Sequence, residues 1–185
     1  VNLAIPTTTS TYINSIFSNG LVLAVDPSRP RTYRRTPASP DMDSYIDYYL
    51  EQGVLEESAK KPYATYSMFL IPKDDGTKRP IYDLSPLTPF VKKKTFSCPN
   101  LRKLLSSFPV GQKFAKMDFT QAFLHLTLAP KTQENLGVLY RKKFYTFARL
   151  PFGHSLGPFY CQLIYKQFVS ELFKKSFLWL DDVIV

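Results

Sequence analysis

Two adjacent carboxylates, Asp181 and Asp182, interrupt the apolar strings Phe177-Leu178-Trp179-Leu180 and Val183-Ile184-Val185. Both strings read as short strands, which places the pair at the tip of a tight hairpin. Like charges this close repel unless solvent or a cation compensates. Asp118 repeats the arrangement after Phe114-Ala115-Lys116-Met117 and before Ala122-Phe123-Leu124. Each has an ordinary alternative: an exposed turn for the pair, a helix N-cap for Asp118. The chemical alternative has two strand ends converging, so that Asp118 and Asp181 hold divalent cations and Asp182 supports the site or a second ion. Hard oxygen ligands suit magnesium. Two such ions about 4 Å apart can activate a hydroxyl nucleophile and stabilise a departing pyrophosphate.

A mixture of strands and helices must position these groups. Met42, Tyr45, Ile46, Tyr49 and Leu50 recur at helical spacing, with Asp41 and Asp43 near the start and Gly53 as a stop. Tyr66 to Pro72 and Lys78 to Leu84 read as a strand pair around the turn signal Asp74-Asp75-Gly76-Thr77. A short helix is predicted from Asn100 through Leu101, Leu104 and Leu105, then a strand from Phe114 to Phe119. Leu136 to Tyr140 and Phe144 to Leu150 form a second predicted hairpin around Arg141-Lys142-Lys143. A longer helix is predicted over Pro158 to Lys174, with Phe159, Leu163, Ile164, Phe168, Leu172 and Phe173 on its apolar face. The first forty residues read instead as a poorly structured, extended basic arm. Pro27, Pro30, Pro37 and Pro40 punctuate Arg29, Arg31, Arg34 and Arg35 there, either to meet phosphates or as a solvated linker.

The chain has 185 residues, 44% of them hydrophobic, which is enough for the core of one domain or two small ones. Its 24 Lys and Arg outnumber 15 Asp and Glu, giving a formal net charge of +9. That excess suits a polyanion such as nucleic acid, or an acidic membrane surface. Past residue 94 the acids are Asp118, Glu134, Glu171, Asp181 and Asp182, set against twelve Lys and Arg. The basicity is therefore concentrated around the proposed metal ligands. No run of about 18 or more apolar residues occurs, as a membrane-spanning helix would need. Val1 to Thr11 does not pair a basic region with an apolar stretch, so no secretory signal is expected there. Cys98 and Cys161 are too few for a zinc site or disulfide framework, and both are expected to be reduced, buried and inert.

Four strings in order resemble a known family. Leu70 to Leu84, LIPKDDGTKRPIYDL, resembles the fingers hairpin of reverse transcriptases. Phe114 to Leu128, FAKMDFTQAFLHLTL, is similar to their first palm motif. Leu150-Pro151-Phe152-Gly153, continuing through Ser155 and Pro158 to Phe159, resembles the second, and FLWLDDVIV from Phe177 to Val185 the third. The wording is nearest to retroviral, LTR-retroelement and pararetroviral enzymes. The resemblance implies an α+β, right-hand polymerase fold, with fingers and a ferredoxin-like palm sheet backed by helices. Residues 1–40 would be the arm, 41–93 and 126–156 the fingers, and 94–125 with 157–185 an incomplete palm. The activity implied is RNA-directed DNA polymerisation, with deoxynucleoside triphosphates added to a primer 3′-hydroxyl on an RNA or DNA template. Asp118, Asp181 and Asp182 would bind two magnesium ions, or manganese in their place.

Other roles carry over by position. Lys73 and Arg79 match fingers residues that grip the triphosphate, where Lys offers a point charge and Arg a bidentate fork. Phe123 matches an aromatic gate whose bulk leaves no room for a 2′-hydroxyl. Phe152 and Gly153 match positions at the nascent base pair. Trp179 stands where the family usually has Tyr, Gln121 where an acid is common, Ser85 where an Arg often follows the hairpin Asp, and Phe152 where many retroviral enzymes have Gln. A thumb and RNase H region in a longer polypeptide, an intracellular location in cytoplasm, nucleus or virus-like particle, and no membrane partner complete what is implied. Two other readings compete: a non-catalytic module binding nucleic acid or protein, and an RNA-dependent RNA polymerase, against which Phe123 argues.

Overall fold

The computed structural model describes residues 7–98, 100, 102, 106, 111, 113, 115–173 and 176–185. The predicted helix at Leu101, Leu104 and Leu105 and the first residue of the Phe114 strand lie outside them. Three antiparallel sheets and two longer helices share one hydrophobic core.

The described part of the first forty residues is not a loose arm. Helix α1 (Thr11–Asn19) opens on Ser10, whose side chain accepts from the Ile13 amide, and buries Ile13 and Ile16. The segment after it is extended, as its prolines require, but it is docked along its length. Isolated bridges tie Leu21 to Leu128, Val25 to Val91, Tyr33 to Thr65 and Arg35 to Leu139. Gly20, at φ 80°, lets the chain turn against the backbone of Leu128 and Ala129, where a Cβ would come within 2.5 Å. Arg29 is 4% exposed, donates to Tyr66 Oη and Asn135 Oδ1, and stacks over the Tyr63 ring. Its head is engaged within the core side of the strap, as a packing residue's would be.

Helix α2 (Pro40–Glu51) follows, with Ser39 as N-cap, Pro40 in the first turn, and Met42, Ile46 and Tyr49 buried. It leads through Gly53 at φ 63° into β1 (Leu55–Glu57). Strands β2 (Met68–Pro72) and β3 (Lys78–Tyr82) form the predicted hairpin, with Pro72 opposite Lys78. Strand β4 (Lys116–Asp118) comes next, and after it a 3-10 turn (Ala122–His125) and the single turn α3 (Pro130–Gln133). Strands β5 (Gly137–Tyr140) and β6 (Lys143–Phe147) join β1 in the order β1-β6-β5. Their turn is two residues, Arg141 and Lys142, both at positive φ, with Lys143 already in the strand.

Helix α4 (Gly157–Leu172) buries much of the predicted face: Ile164 is fully buried, and Phe159, Phe168 and the following Phe173 pack partly buried against the core. Gly157, Tyr160, Cys161, Ile164, Tyr165 and Val169 are buried, whereas Leu163 and Leu172 are exposed. Counting only large apolar side chains missed Tyr160, Cys161 and Tyr165, which extend the buried i, i+3, i+4 line, and overcounted Leu163 and Leu172. Strands β7 (Phe177–Trp179) and β8 (Asp182–Ile184) complete the third sheet, ordered β4-β8-β7, with α4 packed on it. Cys161 is buried as expected, while Cys98 is only half-buried.

Candidate functional site

Register in the third sheet puts Asp118 and Asp182 in one row. Asp118 stands opposite Asp182, and Asp182 opposite Trp179. Directly opposed residues share a face, as do positions two apart on a strand. Lys116 on β4 therefore accompanies Asp118, while Val183 and Leu178 point the other way into the core. Asp118 is exposed, and Asp181 and Asp182 are half-buried.

Asp181 occupies the two-residue turn between β7 and β8, beside Leu180 at φ 58°. Three bonds hold that turn. The Phe119 amide donates to Asp181 O at 2.9 Å, which ties the turn to the residue after Asp118. Gln162 Oε1 accepts from the Leu180 amide at 2.9 Å, and Gln162 Nε2 donates to Leu178 O at 3.2 Å. Past Asp118, Phe119 stacks on Tyr165 with ring centroids 4.4 Å apart, and Tyr165 Oη donates to Ala122 O. Helix α4 thus anchors both carboxylate-bearing turns. Burial pushes the Cys161 thiol up to about 12, with the Asp181 charge adding to it.

Lys116 Nζ lies 2.9 Å from Asp182 Oδ1. That hydrogen bond and the Asp182 charge raise the ammonium above its ordinary pKa, and the charges of Asp118 and Asp181 raise it further. Three carboxylates therefore act on one cation. Among the described residues no three His, Cys, Asp or Glu side chains converge closely enough to hold a metal unaided. Carboxylate oxygens open to water, with a cation already drawn among them, still fit a hard divalent ion that completes its shell with water and substrate oxygens.

The remaining residues form two further groups. Phe123 is half-buried, its ring 5.0 Å from that of Phe152, which is exposed. Gly157 backs the Phe123 ring so closely that a Cβ there would lie 2.5 Å from Cε1. Gly153, at φ 96°, sits where a Cβ would be 2.9 Å from Tyr82 O, at the end of β3. Lys73 and Arg79 are exposed on the β2–β3 hairpin and line a cleft of about 430 Å³ with Ile71, Pro72, Asp74, Asp75 and Ile81. Hydrogen bonds from Thr77 hold the Asp75 carboxyl below its ordinary range and shape the turn. The groups connect in sequence: hairpin end to Gly153, Phe152 to Phe123, and Phe123 through the 3-10 turn to Asp118.

Lys116 and Gln162 carry no weight in the sequence reading. Lys116 could have been found from strand alternation, since it lies two residues before Asp118. Gln162 had no such signal, because its partners are backbone atoms 16 and 18 residues further on.

No protein-family model matches the chain. Protein P of heron hepatitis B virus is 35% identical over 92 residues, spanning 48% of this chain and 12% of that protein. The Transposon Tf2-3 polyprotein of Schizosaccharomyces pombe is 24% identical over 146 residues, 78% of this chain and 11% of that protein. The prototype foamy virus protease-reverse transcriptase (a selenomethionine-labelled CSH mutant) superposes with a TM-score of 0.73 at 19% identity, covering 88% of this chain and 22% of that one. The chain has a reverse-transcriptase fold. The resemblance to retroviral and LTR-element enzymes drawn from the four motifs stands, and so does the α+β polymerase architecture. A foamy viral protease-reverse transcriptase in complex with RNA/DNA hybrid superposes at 0.68 and 20% identity, covering 90% of this chain and 22% of that one. The chain thus spans about a tenth of the length of the curated relatives it matches.

Proposed function

We propose that this chain supplies the fingers and catalytic palm of an RNA-directed DNA polymerase. The observation that carries the proposal is the row of carboxylates: Asp118 in register with Asp182, and Asp181 in the turn bonded to Phe119, on a reverse-transcriptase fold. Asp118, Asp181 and Asp182 would hold magnesium, which supplies activation of the primer hydroxyl and neutralises charge on the leaving phosphates. The chain's own side chains do the rest. Lys73 and Arg79 meet the triphosphate from the hairpin cleft, with the Arg fork matching phosphate oxygens. The Phe123 ring, held from behind at Gly157 and beside Phe152, closes the space a 2′-hydroxyl needs. Gly153, having no side chain, lets the backbone approach the nascent base pair.

The subdomain reading puts 41–93 and 126–156 in the fingers and 94–125 with 157–185 in the palm. It is supported by the separation of the hairpin and the β1-β6-β5 sheet from the β4-β8-β7 sheet. The relatives are a viral protein and a transposon polyprotein, and a solved neighbour holds RNA/DNA hybrid, which supports a primed template as partner and a longer polypeptide as context.

Primer extension with either deoxy- or ribonucleoside triphosphates tests the proposal. The protein is expected to extend a DNA primer on RNA with deoxynucleotides, and Phe123→Val to gain ribonucleotide incorporation by about tenfold or more, roughly 1.4 kcal/mol of discrimination. Equal use of both sugars by the unaltered protein would favour RNA synthesis. Template binding without incorporation would favour a non-catalytic module.

A further inference from the structure

We infer that Lys116 is a built-in counter-ion of the carboxylate row, which a divalent cation must displace from Asp182. The inference rests on the metal reading above. Lys116 Nζ is 2.9 Å from Asp182 Oδ1, and strand alternation places Lys116 on the face that carries Asp118 and Asp182. The side chains of the pair are 65% and 40% exposed, so the ammonium can leave into water without being stranded. An ammonium has three donors and no acceptor, and it occupies an oxygen that an incoming ion would use. The three carboxylates repel one another, and Lys116 relieves that repulsion where no ion is bound. Its presence has two consequences, both of the same sign. It blocks Asp182 Oδ1, and its positive charge opposes a second cation nearby. Lys116 therefore sets the ion concentration at which the row fills.

Trp179 makes this measurable. It is the one tryptophan in the chain and stands opposite Asp182, where its excited state can sensitise a bound terbium ion. Terbium is an oxygen-seeking stand-in for magnesium, and loss of the signal in Trp179→Phe assigns it to this row. Titration of terbium is expected to show roughly three- to tenfold tighter binding for Lys116→Met than for the unaltered protein, as expected for losing an exposed ion pair and an opposing charge. Lys116→Gln should tighten binding likewise, and Lys116→Arg should leave it near the original value. Equal or weaker binding by the neutral variants, with Asp118→Asn still reducing it, overturns the role of Lys116 and leaves the metal reading standing. Absence of saturable binding in every form, or binding indifferent to Asp118→Asn and Asp182→Asn together, overturns both.

Discussion

Gln162 shows how one buried amide can govern a turn it is distant from in sequence. Its side chain is 5% exposed, and both ends bond to backbone on either side of Trp179, bracketing a turn that holds Leu180 in the left-handed region. Leucine has a similar volume and neither polar group, so Gln162→Leu leaves a buried amide and carbonyl unpaired. The expected loss is about 1–3 kcal/mol of stability in urea titration, with nucleotide incorporation falling more steeply than template affinity. Comparable losses in rate and affinity would reduce Gln162 to packing alone. Asp118, Asp181 and Asp182 stood out because a charge inside an apolar string violates patterning, but patterning left turn and cap readings open, and only the four-motif resemblance favoured metal ligation over them. Gln162 did not stand out, because a lone Gln on a helix looks the same whether it faces water or a hairpin.

Elements repeat this contrast between local and long-range information. The β2–β3 hairpin announces itself in Asp74-Asp75-Gly76-Thr77, and α2 in its spacing, since each is decided by neighbours in sequence. The strap after α1 is decided by distant partners: Thr132, whose hydroxyl accepts from the Leu23 amide, and Asn135, which accepts from Arg29. Prolines gave its extended shape correctly and its docking not at all. Two of the four arginines there show the difference. Arg29 is buried and donates to Tyr66 and Asn135, whereas Arg34 pairs with Asp83 at the surface. Arg29→Met should lower stability by about 2 kcal/mol and speed proteolytic cleavage between residues 20 and 36. Arg34→Ala should change it by less than about 1 kcal/mol. Both effects are read from thermal melts and limited proteolysis, and equal behaviour of the two variants would contradict the docked strap.

Across the whole molecule, one buried imidazole links folding to pH. His154 is 3% exposed; its Nδ1 accepts from the Leu156 amide, and its Nε2 has no partner among the described residues. Burial pulls its pKa down to about 4 from an ordinary value near 6.5. Above about 6.5 the ring is neutral folded or unfolded and contributes no pH dependence. Between about 6.5 and 4 the unfolded chain takes up a proton that the fold refuses, so stability falls as pH falls, by up to about 3 kcal/mol. Below about 4 both states are protonated and the loss levels off. Urea midpoints measured across that window should drop more for the unaltered protein than for His154→Gln. Parallel pH curves would show that the ring is not held neutral.

At the same scale, the basicity past residue 94 leaves the carboxylate row as a small acidic island in a cationic half of the chain. If the proposed function holds, that charge balance would let template phosphates meet Lys and Arg while the primer 3′-end meets the carboxylates. Magnesium-dependent incorporation of a single deoxynucleotide into a DNA primer on an RNA template tests this most directly. The expected result is incorporation by the unaltered protein and a loss of about a thousandfold or more, some 4 kcal/mol of barrier, in Asp118→Asn with template binding retained. Incorporation by Asp118→Asn at the original rate would contradict it.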